Sequence, residues 1–238
     1  MLITIHQPQY LPWLGYIDKI DKADVFVILD NVQFKKNEWQ NRNMVKTSLG
    51  WQWVTVPVLN KYLEKIVEVR IRNDTNWRRK HLQALITNYS NSPYFHKHID
   101  FFEEIYSKRW ETLVTLNLTI IKYLIQAFGI KTKLIIASDL LLRDEPTERL
   151  IDICKTQNSK RYLSGKDGAK YMDLQKFKAE GIEIVYQYFK HPVYNQLYGE
   201  FIPNMSAVDL LFNCGDNALE ILRGKGKISS CKKLYPKE

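Results

Sequence analysis

The sequence predicts an α/β fold, built on a mostly parallel, doubly wound sheet with a helical insertion in its middle. Three observations support this prediction. Short apolar runs alternate with segments of helical spacing at both ends of the chain. Residues 2–30 hold two such runs around one short helix, which is the pattern of a βαβ unit. Residues 74–129 are dominated by helical periodicity, which indicates a helical subdomain or insertion within a single domain of residues 1–238.

The first half of the chain is expected to begin with strand, helix and strand and to end in helices. In chain order we expect a strand at 2–5, a helix at 13–20, strands at 23–30, 51–58 and 66–71, and helices at about 75–89, from 94, and at 111–128. The run at 23–30 is continuously apolar and closes on Asp30, which is typical of a strand buried on both faces. A polar loop, 34–43, which contains Phe34 and Trp39, follows it.

The second half of the chain alternates strands with helices, as a doubly wound sheet requires. We expect strands at 131–138, 159–164 and 182–188, and helices at about 144–157, 170–180, 206–212 and from 216. Ligands of such sheets bind beyond the carboxyl ends of the strands. This rule places His6 and Asp30 at the same edge and makes that edge the expected site.

Composition limits the classes of function. Lys and Arg number 35 against 26 for Asp and Glu, a formal charge of +9 that favours an anionic partner, a nucleic acid included, or is simply a basic surface. Cys154, Cys214 and Cys231 have no metal-ligand spacing, so we expect reduced thiols, no metal and no cofactor. No apolar stretch reaches the roughly 18 residues of a membrane span. With no leader peptide recognised, a cytoplasmic protein is expected.

The turn after the first strand is built from rigid and aromatic residues instead of Gly, Ser and Asn. His6 is a candidate catalytic base, because an imidazole at a strand end can exchange a proton with a ligand. Gln7, Tyr10, Trp13 and Tyr16 are candidate substrate contacts in a turn whose rigidity lowers the entropy cost of binding. The alternatives are a histidine that only fixes the turn and aromatics that belong to the core; for Trp13 the core is favoured.

A second group of candidates follows the second strand. Asp30 is placed to bind a sugar hydroxyl or, equally, to cap a neighbouring helix. Lys35 and Arg42 are candidates for gripping a phosphate, the arginine in bidentate fashion, and Asn41 lies beside them. Lone basic residues are more often solvated.

Two further turns complete the expected cleft. Lys166 lies in a glycine-bracketed turn that could cradle an anion or be a plain strand-to-helix turn, and it lacks P-loop spacing. His191 is a second candidate base, with Tyr194 and Asn195 as lining. Asp209 lies in the first turn of a helix, where it binds substrate or only compensates the helix dipole. No motif specifies a nucleophile.

Several long motifs resemble the WbqC-like family of bacterial proteins; they lie at residues 5–16, 162–165, 191–196 and 201–206 with 209–213. The resemblance implies a role in surface-polysaccharide (lipopolysaccharide O-antigen) biosynthesis. It suggests a transferase that moves an acyl or aminoacyl group, such as glycine, onto an amino sugar or nucleotide-amino sugar. His6 or His191 would be the base, Lys166 would lie near the developing charge, and Asp30, Asn41 and Arg42 would hold the nucleotide-sugar.

The donor implied by this chemistry is an anionic acyl carrier, either a carrier protein or a charged tRNA. A different class of function stays open, namely a non-catalytic protein that binds a nucleotide or glycan. The N-terminus also resembles the start of the HIGH-motif nucleotidylyltransferase-like fold, in which an HxGH turn binds phosphates. Here Gly15 matches, but Trp13 and Tyr16 stand in place of the two histidines. That resemblance therefore implies nucleotide binding without adenylyl transfer.

Overall fold

The computed structural model describes residues 1–224; Cys231 and the basic stretch from Lys225 to Lys233 lie outside the described residues. The strands are β1 (Leu2–His6), β2 (Val25–Ile28), β3 (Arg42–Thr47), β4 (Gly50–Thr55), β5 (Val58–Leu59), β6 (Arg70–Ile71), β7 (Lys133–Ile136), β8 (Arg161–Ser164) and β9 (Glu183–Tyr186). The helices are α1 (Leu14–Asp21), α2 (Trp77–Tyr89), α3 (Phe95–Ser107), α4 (Leu113–Ala127), α5 (Pro146–Thr156), α6 (Leu174–Ala179), α7 (Ala207–Cys214) and α8 (Ala218–Leu222). Among these helices, none is both long enough and apolar enough to cross a membrane.

The central sheet has five strands in the order β7–β2–β1–β8–β9, all parallel. The chain moves outward from β1 through β2 to β7, then crosses to the other side of β1 for β8 and β9. This is the order of a doubly wound fold, with its switch point between β1 and β8. The predicted α/β class and parallel sheet are confirmed. Ile28 of β2 pairs with His6, so the segments that follow β1 and β2 leave the same edge of the sheet.

Helices cover both faces of the sheet because the central strand β2 is apolar and buried on both sides. Val25 and Val27 belong to a core with α5 and α6, whereas Phe26 and Ile28 belong to a larger core with α1, α4 and α7. The helices α2, α3 and α4 share that larger core. This continuity supports our proposal of a single domain.

The main addition to the predicted elements is β3, which pairs with β4 in an antiparallel hairpin. Its sequence is polar, but two of its polar residues are buried against specific partners. Asn43 Nδ2 donates to the Leu11 carbonyl at 2.6 Å, and Lys46 Nζ donates to the Glu200 carbonyl at 2.6 Å. Buried polar residues of this kind give a strand the composition of a loop.

Several predicted elements are shorter than expected, and in two of them the structure shows a local cause. Residues 66–71 form a single 3-10 turn at Ile66–Glu68 followed by the two-residue β6, because Glu68 accepts a hydrogen bond from the Lys65 amide and closes the turn. The helix expected at 170–180 begins only at Leu174. Asp173 caps the helix there, because its carboxylate accepts hydrogen bonds from the backbone amides of Gln175 and Lys176.

Candidate functional site

A cavity of about 200 Å³ lies at the carboxyl end of β1. Its walls come from the turn after β1 and from the loop that leads from β2 to β3. Its lining residues are His6, Gln7, Gln9, Lys35, Glu38, Trp39 and Gln40. We call it the His6 cavity. It lies at the edge of the sheet where the topology rule places ligands.

The two walls of the His6 cavity are fixed to each other by side-chain amides. Gln40 Nε2 donates to Gln7 Oε1 at 2.8 Å, and the Gln40 oxygen accepts the Lys35 amide N–H at 3.0 Å. The amide of Tyr10 donates to the Trp39 carbonyl at 3.0 Å. Asn41 Oδ1 accepts the Asn37 amide at 3.0 Å and so shapes the same loop. The cavity is therefore formed before any ligand enters.

His6 faces this cavity as a neutral hydrogen-bond acceptor. Its Nδ1 lies 3.1 Å from the Gln7 carbonyl oxygen. Because a carbonyl only accepts, Nδ1 carries the proton and Nε2 keeps its lone pair. Burial lowers the pKa of His6 to about 3, with a further lowering from the charge of Lys19 that outweighs the opposing bond to Gln7. No residue within 1–224 hydrogen-bonds to Nε2, and the Tyr16 ring contacts the imidazole edge-on at 5.1 Å.

Lys19 is a buried amine beneath the end of β1. Its Nζ donates to the Ile5 carbonyl at 3.2 Å, just past Thr4, where the pairing of β1 with β8 ends. Burial lowers the pKa of Lys19 to about 8. The sequence reasoning missed this residue, because a lysine on an amphipathic helix normally faces solvent.

The lining of the cavity also includes one buried polar side chain and two charged side chains at the rim. Gln9 is buried, and its Oε1 has no hydrogen-bond partner within the described chain. Glu38 and Lys35 are exposed at the rim, and Lys35 Nζ makes no ion pair with residues 1–224. The arrangement suits a small polar ligand that donates hydrogen bonds to His6 and carries an anionic extension toward Lys35.

A row of three tryptophans leads away from the cavity. Trp39 contacts Trp53 at a ring-centroid distance of 5.8 Å, and Trp53 contacts Trp51 at 5.7 Å. Trp51 and Trp53 are 47% and 39% exposed. The guanidinium of Arg42 lies over the Trp53 ring at 4.2 Å. We call Trp39, Trp53 and Trp51 the tryptophan row.

Asp30 and Asn41 are occupied by protein partners. The Asp30 carboxylate accepts the Ser138 amide at 2.9 Å and the Ser138 hydroxyl at 2.7 Å, which ties the end of β2 to the turn after β7. This is the capping alternative for Asp30. Asn41 Nδ2 donates to the Val56 carbonyl at 3.0 Å. Neither side chain lines the His6 cavity.

The aromatic residues of the first turn, Tyr10 and Trp13, do not line the His6 cavity. The Tyr10 hydroxyl is buried between His81 Nδ1 at 2.8 Å and the Tyr106 hydroxyl at 2.5 Å. The Trp13 ring lies directly over Gly15, where an added Cβ would be 2.3 Å from it. Trp13 also bridges to Ser206. The start of α1 is thus covered, and a phosphate cannot approach Gly15 as in the HxGH frame.

His191 has a partner at each ring nitrogen. Its Nδ1 lies 2.8 Å from the Pro192 carbonyl oxygen, and its Nε2 accepts the Asn204 amide at 3.1 Å. Burial lowers the pKa of His191, as it does that of His6. With both nitrogens used, His191 fixes the loop between β9 and α7, whereas the Nε2 of His6 has no hydrogen-bond partner in the described part of the chain.

Asp209 is fully buried in a network that holds the same loop. Its carboxylate accepts the Tyr89 hydroxyl at 2.8 Å and Gln196 Nε2 at 3.0 Å, and the Tyr194 hydroxyl also bonds to it. Burial raises the pKa of Asp209, and these hydrogen bonds oppose the rise. Asn195, half-buried, continues this loop. Lys166 is exposed in the turn after β8 and does not line the His6 cavity.

The structure thus brings His6, Gln7 and Lys35 together and places Arg42 on the adjoining tryptophan row. The other candidates lie in the core, in the loop before α7 or at the β8 turn. Sequence reasoning missed Gln9, Glu38, Trp39 and Gln40 as lining, although an aromatic residue within the polar stretch of a loop at the ligand edge was a usable signal for Trp39.

Comparison with known proteins gives a consistent family match. A family model described as the WbqC-like protein family matches residues 7–221. The chain is 38% identical over 225 residues to the Mycobacterium tuberculosis protein (strain ATCC 25618 / H37Rv) named "Uncharacterized protein Rv1507c"; the match covers 93% of this chain and 97% of that protein. No solved structure matches.

Proposed function

This chain belongs to the WbqC-like protein family, and we propose that it is an acyl or aminoacyl transferase of surface-polysaccharide biosynthesis. The proposed acceptor is the amine of an amino sugar or nucleotide-amino sugar. The observation that carries the proposal is His6, a residue that lines the cavity and whose Nε2 has no hydrogen-bond partner within residues 1–224.

The size of the His6 cavity supports a sugar-sized acceptor. Drug-sized ligands occupy pockets of about 300–1,000 Å³, and this cavity measures about 200 Å³. Its lining offers the Nε2 of His6 and the rim carboxylate of Glu38 as acceptors. Hydroxyl and amine groups of an amino sugar are the matching donors.

The proposed reaction needs a base that is unprotonated at neutral pH. The lone pair of the acceptor amine attacks the acyl carbonyl carbon, and a nitrogen–carbon bond forms. As the tetrahedral intermediate collapses, the bond from the acyl carbon to the donor's ester oxygen or thioester sulfur breaks. His6 Nε2 accepts a hydrogen bond from the amine and so orients its lone pair; because the pKa of His6 is lowered to about 3, the amine proton passes by way of Nε2 to the leaving group without resting on the imidazole. The Lys35 ammonium, at the rim, is placed to stabilise negative charge on the donor.

His6 is preferred to His191 as the base. Proton transfer needs a free lone pair within reach of the reacting amine, and the Nε2 of His191 is already used by the Asn204 amide. Removing His191 should loosen the loop before α7, and removing His6 should slow the chemistry.

Mass spectrometry of the acceptor tests the proposal. The protein is incubated with an activated acyl or glycyl ester or thioester and either glucosamine, UDP-glucosamine or dTDP-linked amino sugars, with the matching hydroxyl sugars as controls. The expected result is an acyl mass increment on an amino acceptor and none on its hydroxyl counterpart. Binding of these sugars with no increment from any donor would instead support a non-catalytic binding protein.

A further inference from the structure

The tryptophan row continues the His6 cavity across the surface of the β3–β4 hairpin. Trp39 belongs to both, since it lines the cavity and contacts Trp53. Trp51 and Trp53 stand two residues apart on β4, so their side chains leave the same face of the hairpin. Large aromatics left exposed side by side form the kind of patch that marks a binding surface.

We infer that the tryptophan row and Arg42 bind the nucleoside diphosphate of the acceptor while the His6 cavity holds its sugar. This inference rests on the proposed function and names the form of its acceptor. A cavity of about 200 Å³ has room for a sugar ring and not for an attached nucleotide. The remainder of a nucleotide-sugar must therefore lie outside, and the row is the surface that adjoins the cavity mouth.

The positive charges of Arg42 and Lys35 beside the tryptophan row indicate an anionic ligand. Arg42 stacks on Trp53 with one face of its guanidinium, which leaves the N–H groups at its edge for an anion. Its side chain has no ion-pair or hydrogen-bond partner within residues 1–224, and the same is true of Lys35 Nζ. A neutral glycan needs neither cation. A flat base on tryptophan with a diphosphate on Arg42 and Lys35 uses both features.

Isothermal titration calorimetry without any acyl donor tests this inference. The probes are UDP and dTDP, with uridine, glucosamine and a CCA trinucleotide for comparison. We expect at least one diphosphate to bind more tightly than uridine and the trinucleotide. Trp53→Ala should raise its Kd about 5- to 150-fold, the range that corresponds to one stacked base.

A substitution at Arg42 distinguishes the contribution of the phosphate contact from that of base stacking. Arg42→Gln should raise the Kd for the diphosphate by about tenfold, flatten its salt dependence and leave the Kd for uridine unchanged. Trp110→Phe is the matched control, since Trp110 lies outside the row and donates its indole N–H to the Ile105 carbonyl; its Kd should equal that of the wild type. Circular dichroism confirms that each variant is folded.

Three results would overturn the inference. They are no diphosphate binding by the wild type, tighter binding of the trinucleotide than of either diphosphate, and an unchanged Kd in both Trp53→Ala and Arg42→Gln. Failure here is distinct from failure of the proposed function. Acyl transfer to free glucosamine without diphosphate binding overturns only the inference, whereas diphosphate binding with no transfer to any amine overturns only the transferase.

Discussion

Gln40 Nε2 donates a hydrogen bond of 2.8 Å to Gln7 Oε1, and this contact joins the two walls of the His6 cavity. The two residues are far apart in sequence and belong to segments that leave neighbouring strands. The same Gln40 side chain accepts the Lys35 amide. A single buried amide therefore sets the distance between His6 on one wall and Lys35 on the other.

Gln40→Ala is expected to lower the free energy of unfolding by about 1–3 kcal/mol, because Gln7 Oε1 and the Lys35 amide each lose a partner. Urea denaturation measures this loss. Gln7→Ala and the double variant complete a cycle, in which the two changes should cost less together than the sum of the single changes. Strict additivity would show that the two walls are not coupled.

The protonation state of His6 can be observed directly. Because burial lowers its pKa to about 3 and Nδ1 faces the Gln7 carbonyl, the ring should be the neutral Nδ1–H tautomer throughout pH 5–8. Long-range ¹H–¹⁵N NMR distinguishes the two tautomers, and a His6→Gln sample assigns the signal. A titration midpoint near 6.5, or an Nε2–H tautomer, would exclude the acceptor geometry described for the cavity.

Stability should fall as the pH is lowered below 6.5. The pKa values of His6 and His81 are lowered to about 3 and that of His98 to about 4, chiefly by burial, from an ordinary value of 6.5. The unfolded state then binds more protons than the folded state between these values, so acid favours unfolding. Each histidine should contribute about 1.4 kcal/mol per pH unit within that window.

The variant His98→Leu removes one of these histidines and so measures its contribution to the pH dependence of stability. His98 Nε2 is buried without a partner in the described chain, whereas Nδ1 lies 2.8 Å from the Tyr123 hydroxyl. Loss of that hydrogen bond lowers the stability of His98→Leu at every pH, so the pH slope and not the absolute stability is the readout. Urea titrations at several pH values between 4.5 and 6.5 should show a slope smaller by about 1.4 kcal/mol per pH unit than that of the wild type. An unchanged slope would mean that His98 is protonated in the folded state.

The contact between Trp13 and Gly15 predicts that a side chain at position 15 clashes with the Trp13 ring, and only while that ring is present. A Cβ at Gly15 would lie 2.3 Å from the Trp13 ring, so Gly15→Ala should cost about 1–3 kcal/mol despite the better helix propensity of alanine. The double variant Trp13→Ala/Gly15→Ala should be no less stable than Trp13→Ala alone. Thermal unfolding compares the four proteins. A neutral Gly15→Ala would show that the Trp13 ring is not fixed over the helix start.

The fold was largely predictable from sequence because its strands carry uniform apolar patterns. The run around Phe26 is buried on both faces and the run around Ile135 is partly buried. Short, continuously apolar runs of this length are typical of such strands. β3 was not predictable, since Asn43 and Lys46 are buried only by virtue of partners far away in the chain. The local sequence pattern around β3 does not indicate those partners.

The candidate site was predictable only in part, for a related reason. The topology rule selects the edge at which the His6 cavity and the loop with Lys35 lie. It does not say which polar residues face the ligand. His6 and His191 have the same local sequence setting, a strand end followed by a turn, and only the Asn204 amide on His191 distinguishes them. That bond joins residues whose approach depends on the packing of α7.

The most direct measurement is the rate of acyl transfer to an amino sugar by wild type, His6→Ala and His96→Ala, each shown to be folded. His96 is an exposed histidine on α3 and serves as the matched control. Loss of a general base should lower kcat about 10²- to 10⁴-fold in His6→Ala, with His96→Ala equal to wild type. Full activity in His6→Ala would contradict the account.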